Sequence, residues 1–208
     1  LADETGYAVV AQLHGKLFVL AIGGLKGGYS DETLEQLAHI AKHNKVRQII
    51  IESNFGDGMY TKLLSPVMAK IYPCSMEEVT HSTQKEKRII DTLEPVMNQH
   101  RLVINLSEID KDIAFLMENP ERNQRYSFCH QLTRLTKDRG ALKHDDRLES
   151  LSIAVDYYVE SMDRDEQKAH DEHSDKLLQA EIKKHLDCCL GHKSNMFDQG
   201  FLSKRFNR

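Results

Sequence analysis

Two periods of hydrophobic spacing divide the chain. Tyr7 to Leu13 and Leu17 to Ile22 are short segments rich in Val, Leu and aromatic residues, and His14-Gly15-Lys16 between them reads as a hairpin turn. Ser30 suits a helix N-cap, Asp31 and Glu32 suit its first turn, and Leu34, Leu37, Ala38 and Ala41 then recur at helical spacing to about Asn44. Gln48-Ile49-Ile50-Ile51-Glu52 is a continuous β-branched run too short for a helix, as expected of a central strand buried on both faces. After the turn-rich Asn54 to Gly58, Met59 to Ile71 is helical with a break expected at Pro66, and Ser75 to Val79 offers another strand. Ile89, Ile90, Leu93, Val96 and Met97 form one helical face, with a kink expected at Pro95, and Leu102 to Ile104 is a further strand. From Ser107 the pattern is helical or irregular. Leu148, Leu151, Val155, Tyr158 and Met162 then step along a helix that begins at His144-Asp145-Asp146.

Two antiparallel strands followed by strands alternating with helices predict an α/β fold with a mixed sheet flanked by helices, the element order of an RNase H-like fold. Residues 163–190 predict a charged helix with a narrow stripe of Leu178, Ile182, Leu186 and Cys189, and the last 18 residues read as loosely ordered. The expected division is therefore a domain over residues 1–162 and a helical C-terminal extension over residues 163–208.

Composition narrows the function classes. With 208 residues and 40% hydrophobic content the chain can bury a sizeable core, and no apolar run approaches the roughly 20 residues that cross a bilayer. Four cysteines in a chain of this size suggest a reducing compartment rather than a disulfide framework. The net charge of -4 gives no support to nucleic-acid binding by the whole chain, so any such contact must be local. Two basic clusters qualify, Lys85, Lys87 and Arg88 at a helix start and Arg134, Lys137 and Arg139 before Asp145; the plain alternative is a solvated face. His170, His173, His185, Cys188, Cys189 and His192 in the tail match structural zinc spacings poorly.

Glu52 ends a hydrophobic strand, where open α/β sheets place ligands, although strands commonly end in a polar residue. Asp145 and Asp146 open a helix and would serve equally as its capping acids. Taken together, carboxylates from two elements would repel unless a divalent cation neutralised them, and hard oxygen donors suit Mg²⁺ or Mn²⁺.

The strings Asp3-Glu4-Thr5-Gly6, Glu52-Ser53-Asn54-Phe55-Gly56-Asp57-Gly58, Lys85-Glu86-Lys87-Arg88-Ile89, Asp91-Thr92-Leu93-Glu94-Pro95, His100-Arg101-Leu102-Val103 and His144-Asp145-Asp146-Arg147-Leu148 occur in that order. In this combination, over roughly residues 3–160, the chain resembles the nuclease half of podovirus-type bacteriophage large terminases. The resemblance implies an RNase H-like, RuvC-type endonuclease that cuts concatemeric double-stranded DNA with two Mg²⁺ or Mn²⁺ ions during genome packaging. It implies that Glu52, Asp145 and Asp146 hold metal and that Asp3 approaches one. His144, read from its position alone, could orient an acid or polarise a phosphate, or simply bond the backbone at the helix start. The family's first aspartate lies upstream of the opening motif, so the expected cage lacks one ligand within this sequence and weakened activity is expected. No Gly-x-x-x-x-Gly-Lys-Ser/Thr loop occurs, so ATP-driven translocation would belong to the ATPase domain of the intact large terminase. The implied partners are that domain, double-stranded DNA, the portal protein and the small terminase subunit, with no membrane and in the host cytoplasm. Another RNase H-like nuclease of resolvase or transposase type, or a catalytically silent DNA-binding or assembly module, remain the competing expectations.

Overall fold

β1 (Thr5–Leu13) and β2 (Lys16–Leu25) form an antiparallel hairpin whose loop is two residues, His14 and Gly15, one shorter than the spacing predicts. Both sit at positive φ, 50° and 72°, as the tight turn that matches strand twist requires. The register slips between Val9 and Val10, which pair with Ala21 and Val19, so Leu20 is the extra residue of a bulge in β2. α1 (Asp31–His43) follows, with the Ser30 hydroxyl accepting from the Thr33 amide. β3 (Gln48–Glu52), α2 (Met59–Ile71) and β4 (Ser75–Val79) form a parallel strand-helix-strand unit, and α3 (Lys85–Asn98) leads to β5 (Leu102–Ile104), which pairs parallel to β2. The strands thus make one sheet ordered β1-β2-β5 and another ordered β3-β4.

This α/β arrangement of parallel and antiparallel strands flanked by helices is the architecture that the alternation predicts. Three expectations differ. Pro66 does not break α2, which runs through it with the loss of a backbone donor. β3, expected to be buried on both faces, is half-buried along its whole length. The stretch after Ser107 is more regular than its pattern, with α4 (Leu106–Glu118), α5 (Pro120–Asn123), a 3₁₀ turn over Gln124–Tyr126 and α6 (Phe128–Arg134). Three of these starts are capped by side chains, Asn105, Asn119 and Ser127. A helix over 146–159, here α7, closes the first unit.

The computed structural model describes residues 4–53, 58–159 and 174–183, and the chain divides into two units, Leu1–Val159 and Glu160–Arg208. In the first, α1 and α2 bury Leu34, Ala38, Ala41, Leu64 and Met68 against Ile49 and Ile51 of β3. Leu17 and Val19 of β2, Ile89 and Leu93 of α3, Phe128 of α6 and Leu148, Leu151 and Val155 of α7 are also buried. In the second, α8 over 174–183 exposes Leu178 and Ile182. Asp3 and the tail's histidines and cysteines lie outside the described residues. Among the described residues no helix is long and apolar enough to cross a membrane.

Candidate metal centre

The site is built around the first turn of α7. Gly6 of β1 lies so close that a Cβ there would come within 2.2 Å of the Asp146 carbonyl oxygen, so only glycine lets β1 reach the helix start. The next residue, Arg147, is 6% exposed and points into the protein. It donates to Glu4 at 3.0 and 3.2 Å and to Asp112 of α4 at 3.3 Å, with its guanidinium 4.5 Å over the Phe115 ring. Asp112 in turn accepts from the Ser127 hydroxyl and the Phe128 and Cys129 amides, which caps α6. The Leu148 amide donates to Gln131 of α6 at 3.1 Å. Asp145 and Asp146 therefore stand on a helix end that β1, α4 and α6 all hold in place.

On the other side of that end, Asp145, Asp146 and Glu149 bring carboxylate oxygens within 4.8 Å of one another. Glu149 lies three and four residues after the aspartates, one helical turn along the same face. Glu52, at the end of β3, faces Glu149 across Arg88, whose two terminal nitrogens lie 2.9 Å from Glu52 and 2.6 Å from Glu149. Lys85 bridges Asp145 at 2.8 Å and Glu149 at 2.5 Å, and His81 lies 3.0 Å from Glu52. Burial pushes the Glu149 carboxyl up to about 7, reinforced by Glu52 and Asp145 and opposed by Lys85. Burial works against the charge of Lys85, but its bonds to Asp145 and Glu149 outweigh that and raise its pKa. Among the described residues, Lys85 and Arg88 are thus the permanent cations bonded to Glu52, Asp145 and Glu149.

Glu52, Asp145 and Asp146, singled out in the sequence, are brought together, with Glu52 across the guanidinium from the rest. Lys85 and Arg88 differ from the solvated, phosphate-gripping cluster that their spacing suggests: both are turned into the carboxylates, Arg88 with only 11% of its side chain exposed. Lys87 is exposed. Arg134, Lys137 and Arg139 are exposed too, and their segment is pinned beside the start of α3, where Gln84 donates to the Lys137 carbonyl and the Gly140 amide donates to Glu86. Lys137 also meets Asp91 at 3.2 Å. His144 stacks on Tyr126, ring centroids 4.2 Å apart. Sequence reasoning missed Glu149, His81, Glu4 and Asp112. The spacing of Glu149 from the aspartates was a usable signal, whereas the other three are joined to the site only through long-range packing.

Residues 2–102 match the family model described as the ribonuclease H-like domain of the bacteriophage T7 terminase. Over 186 residues, 89% of this chain, the sequence is 41% identical to the large terminase subunit of Enterobacteria phage T3. The chain spans 31% of the length of that curated relative.

Proposed function

This chain carries the RNase H-like domain of the phage large-terminase family, and on that premise we propose that it is a divalent-metal-dependent endonuclease acting on double-stranded DNA during genome packaging. The observation that carries the reading is the cluster of Asp145, Asp146 and Glu149 within 4.8 Å, faced by Glu52. Its donors are all hard carboxylate oxygens, the set that suits Mg²⁺ or Mn²⁺, and they already draw in Lys85 and Arg88. Two such ions, when bound, would supply an activated water and charge stabilisation at the scissile phosphate.

The chain's own residues do the rest. Asp145, Asp146 and Glu149 would hold the ions from the start of α7, and Glu52 would hold them from β3. Asp3 is assigned a place at the same cage by the family pattern alone. Arg88 orients Glu52 and Glu149 by donating to both. Lys87, Arg134, Lys137 and Arg139 would contact backbone phosphates from the exposed rim, and Lys85, with 37% of its side chain exposed, would join them. His144 packs on Tyr126 and positions the segment leading into Asp145. The ATPase domain of the full protein, the portal and the small terminase subunit are the expected partners in packaging.

Plasmid DNA incubated with the purified chain tests this. Nicking is expected with Mn²⁺, more weakly with Mg²⁺, and is expected to disappear in Glu52→Ala and in Asp146→Ala while both variants remain folded by circular dichroism at the assay temperature. Cutting that persists in excess chelator would overturn the metal mechanism.

A further inference from the structure

The end of the strands farthest from the carboxylates has a composition of its own. α7 gives the orientation. Its first turn lies beside Gly6 and faces Glu52 through Arg88, whereas Tyr157 and Tyr158 near its other end bond Gln48 and the Val10 carbonyl. β2 and β5 are parallel, as are β3 and β4, so the β1–β2 turn and the connections into β3, β4 and β5 all fall at the Tyr158 end. They are tied in pairs. Arg101 donates to the Gly15 carbonyl at 2.8 Å, and the Ser75 amide donates to the Arg47 carbonyl at 3.2 Å. The five residues of β3 set this end roughly 17 Å from Glu52.

Residues 13–16, 42–47, 70–74 and 98–101 make up these connections and the element ends beside them. They hold Lys16, Lys42, Lys45, Arg47, Lys70 and Arg101 and no acid, in a chain whose net charge is -4. All but Arg101 are exposed. Their apolar neighbours Val46, Ile71, Tyr72 and Cys74 pack on the core of α1 and α2, which leaves the charge outward. The acids that come close in sequence, Glu77 and Glu94, lie inside β4 and α3, with Glu77 accepting from Gln48, and Asp156 stands on the last turn of α7. Helix dipoles account for Lys42 and Lys70, in the last turns of α1 and α2. Lys16, Lys45, Arg47 and Arg101 lie outside the helices.

Backbone strain marks the same place. Among the described residues the non-glycine positions with positive φ are His14 at 50°, Lys45 at 53° and His100 at 54°, and all three belong to these connections. Glycine or asparagine adopts that backbone at least cost. All three positions instead carry a basic side chain, and strain of this kind gathers at functional sites.

We propose that this end is a second contact surface for duplex DNA, holding backbone phosphates away from the carboxylate cluster. A protein partner would need apolar anchors at the centre of the patch, and Leu13 is the one large apolar side chain that these segments expose. Cations spread over four connections suit the sequence-independent grip on a phosphate backbone that releases counterions. The surface stands on charge and geometry; the choice of duplex DNA over another polyanion rests on the proposed packaging function. Held there, the duplex stays on the protein whether or not the cluster binds metal.

Fluorescence anisotropy of the 208-residue chain with a labelled duplex of about one helical turn, in excess chelator, tests this. The parent is expected to bind. Combining Lys16→Gln, Lys45→Gly and Arg47→Gln is expected to weaken binding at least about tenfold near 50 mM salt, with the slope of log affinity against log salt falling by roughly two to three. Removing equal charge elsewhere, in Lys26→Gln, Lys176→Gln and Lys183→Gln combined, is expected to change affinity less than about threefold. Lys45→Gly alone is expected to weaken binding while holding or raising the unfolding midpoint, because glycine relieves the positive φ; a merely structural lysine would not give that pairing. No binding by the parent, or equal losses in the two triple variants, overturns the proposal. So does a triple variant at this end that keeps its hold on DNA but loses poly-glutamate, which would make the surface a docking site for an acidic protein. Absence of DNA cutting, which would sink the nuclease reading, leaves each of these readouts standing.

Discussion

Two clusters of carboxylates stand back to back at the start of α7, separated by one peptide bond. Behind it, Glu4 and Asp112 are buried and share Arg147, with backbone and hydroxyl donors completing the set around Asp112. In front, Glu52, Asp145 and Glu149 share Lys85 and Arg88, and Asp146 stands beside Asp145 and Glu149. The same chemistry gives opposite outcomes because of where the donors come from. The rear set is satisfied by fixed groups of the fold and is closed. The front set is held by side chains, one of them substantially exposed, and on the proposed reading it is the one open to a cation.

The comparison breaks most sharply at Arg147. Arg147→Met fills much of the same space but leaves two buried carboxylates without their counter-charge, a loss that ordinarily costs about 3–5 kcal/mol. Denaturant unfolding is expected to show that loss, while Asp145→Asn in the front cluster, which relieves repulsion, holds or raises stability. If Arg147→Met unfolds like the parent chain, the rear network is not structural and the contrast fails.

Glu149→Gln tests the front cluster next. It removes a carboxylate from the cage, so Mn²⁺ affinity measured by titration calorimetry is expected to fall by at least the roughly 10–100-fold that loss of a supporting partner brings. The same variant has a pH signature. Burial holds the folded Glu149 carboxyl near 7, above its ordinary value of 4.5, so the folded chain keeps a proton that the unfolded chain has released. That contribution to stability is complete below the unfolded value and is lost as pH rises through about 7. The metal-free parent is therefore expected to lose thermal stability from about pH 5 to 8 more steeply than Glu149→Gln does. Identical slopes would show that Glu149 is not the group responsible.

How much of this was legible follows from the range of the signals. β3, α1 and the start of α7 were written in local periodicity and caps, and so were Glu52, Asp145 and Asp146 as acids at element ends. Pro66 misled because helix packing outweighs one missing donor. Glu149 was within reach, since a carboxylate one turn beyond a pair of aspartates shares their face. Glu4, Asp112 and His81 were not, because their partners lie 143, 35 and 29 positions away in the chain. Nor could composition reveal that Lys85 and Arg88 turn inward, since a basic cluster at a helix start reads the same whether it faces solvent or carboxylates.

Lys85 provides the smallest and most discriminating effect. Arg88 is buried and held at both ends, so it belongs to the frame, whereas Lys85 reaches the carboxylates from an exposed stem and competes with any cation for Asp145 and Glu149. An ion pair of this exposure contributes only about 0.2–1 kcal/mol once solvent screening and side-chain entropy are counted. Lys85→Met is therefore expected to tighten Mn²⁺ binding by roughly two- to fivefold, with Lys85→Arg, which keeps the charge, close to the parent. Calorimetric titration at low salt reads the difference, and it shrinks as salt screens the exposed cation. Weaker binding in Lys85→Met would mean that the ammonium organises the cage rather than competing for it, and the front cluster would then be a closed network like the one behind it.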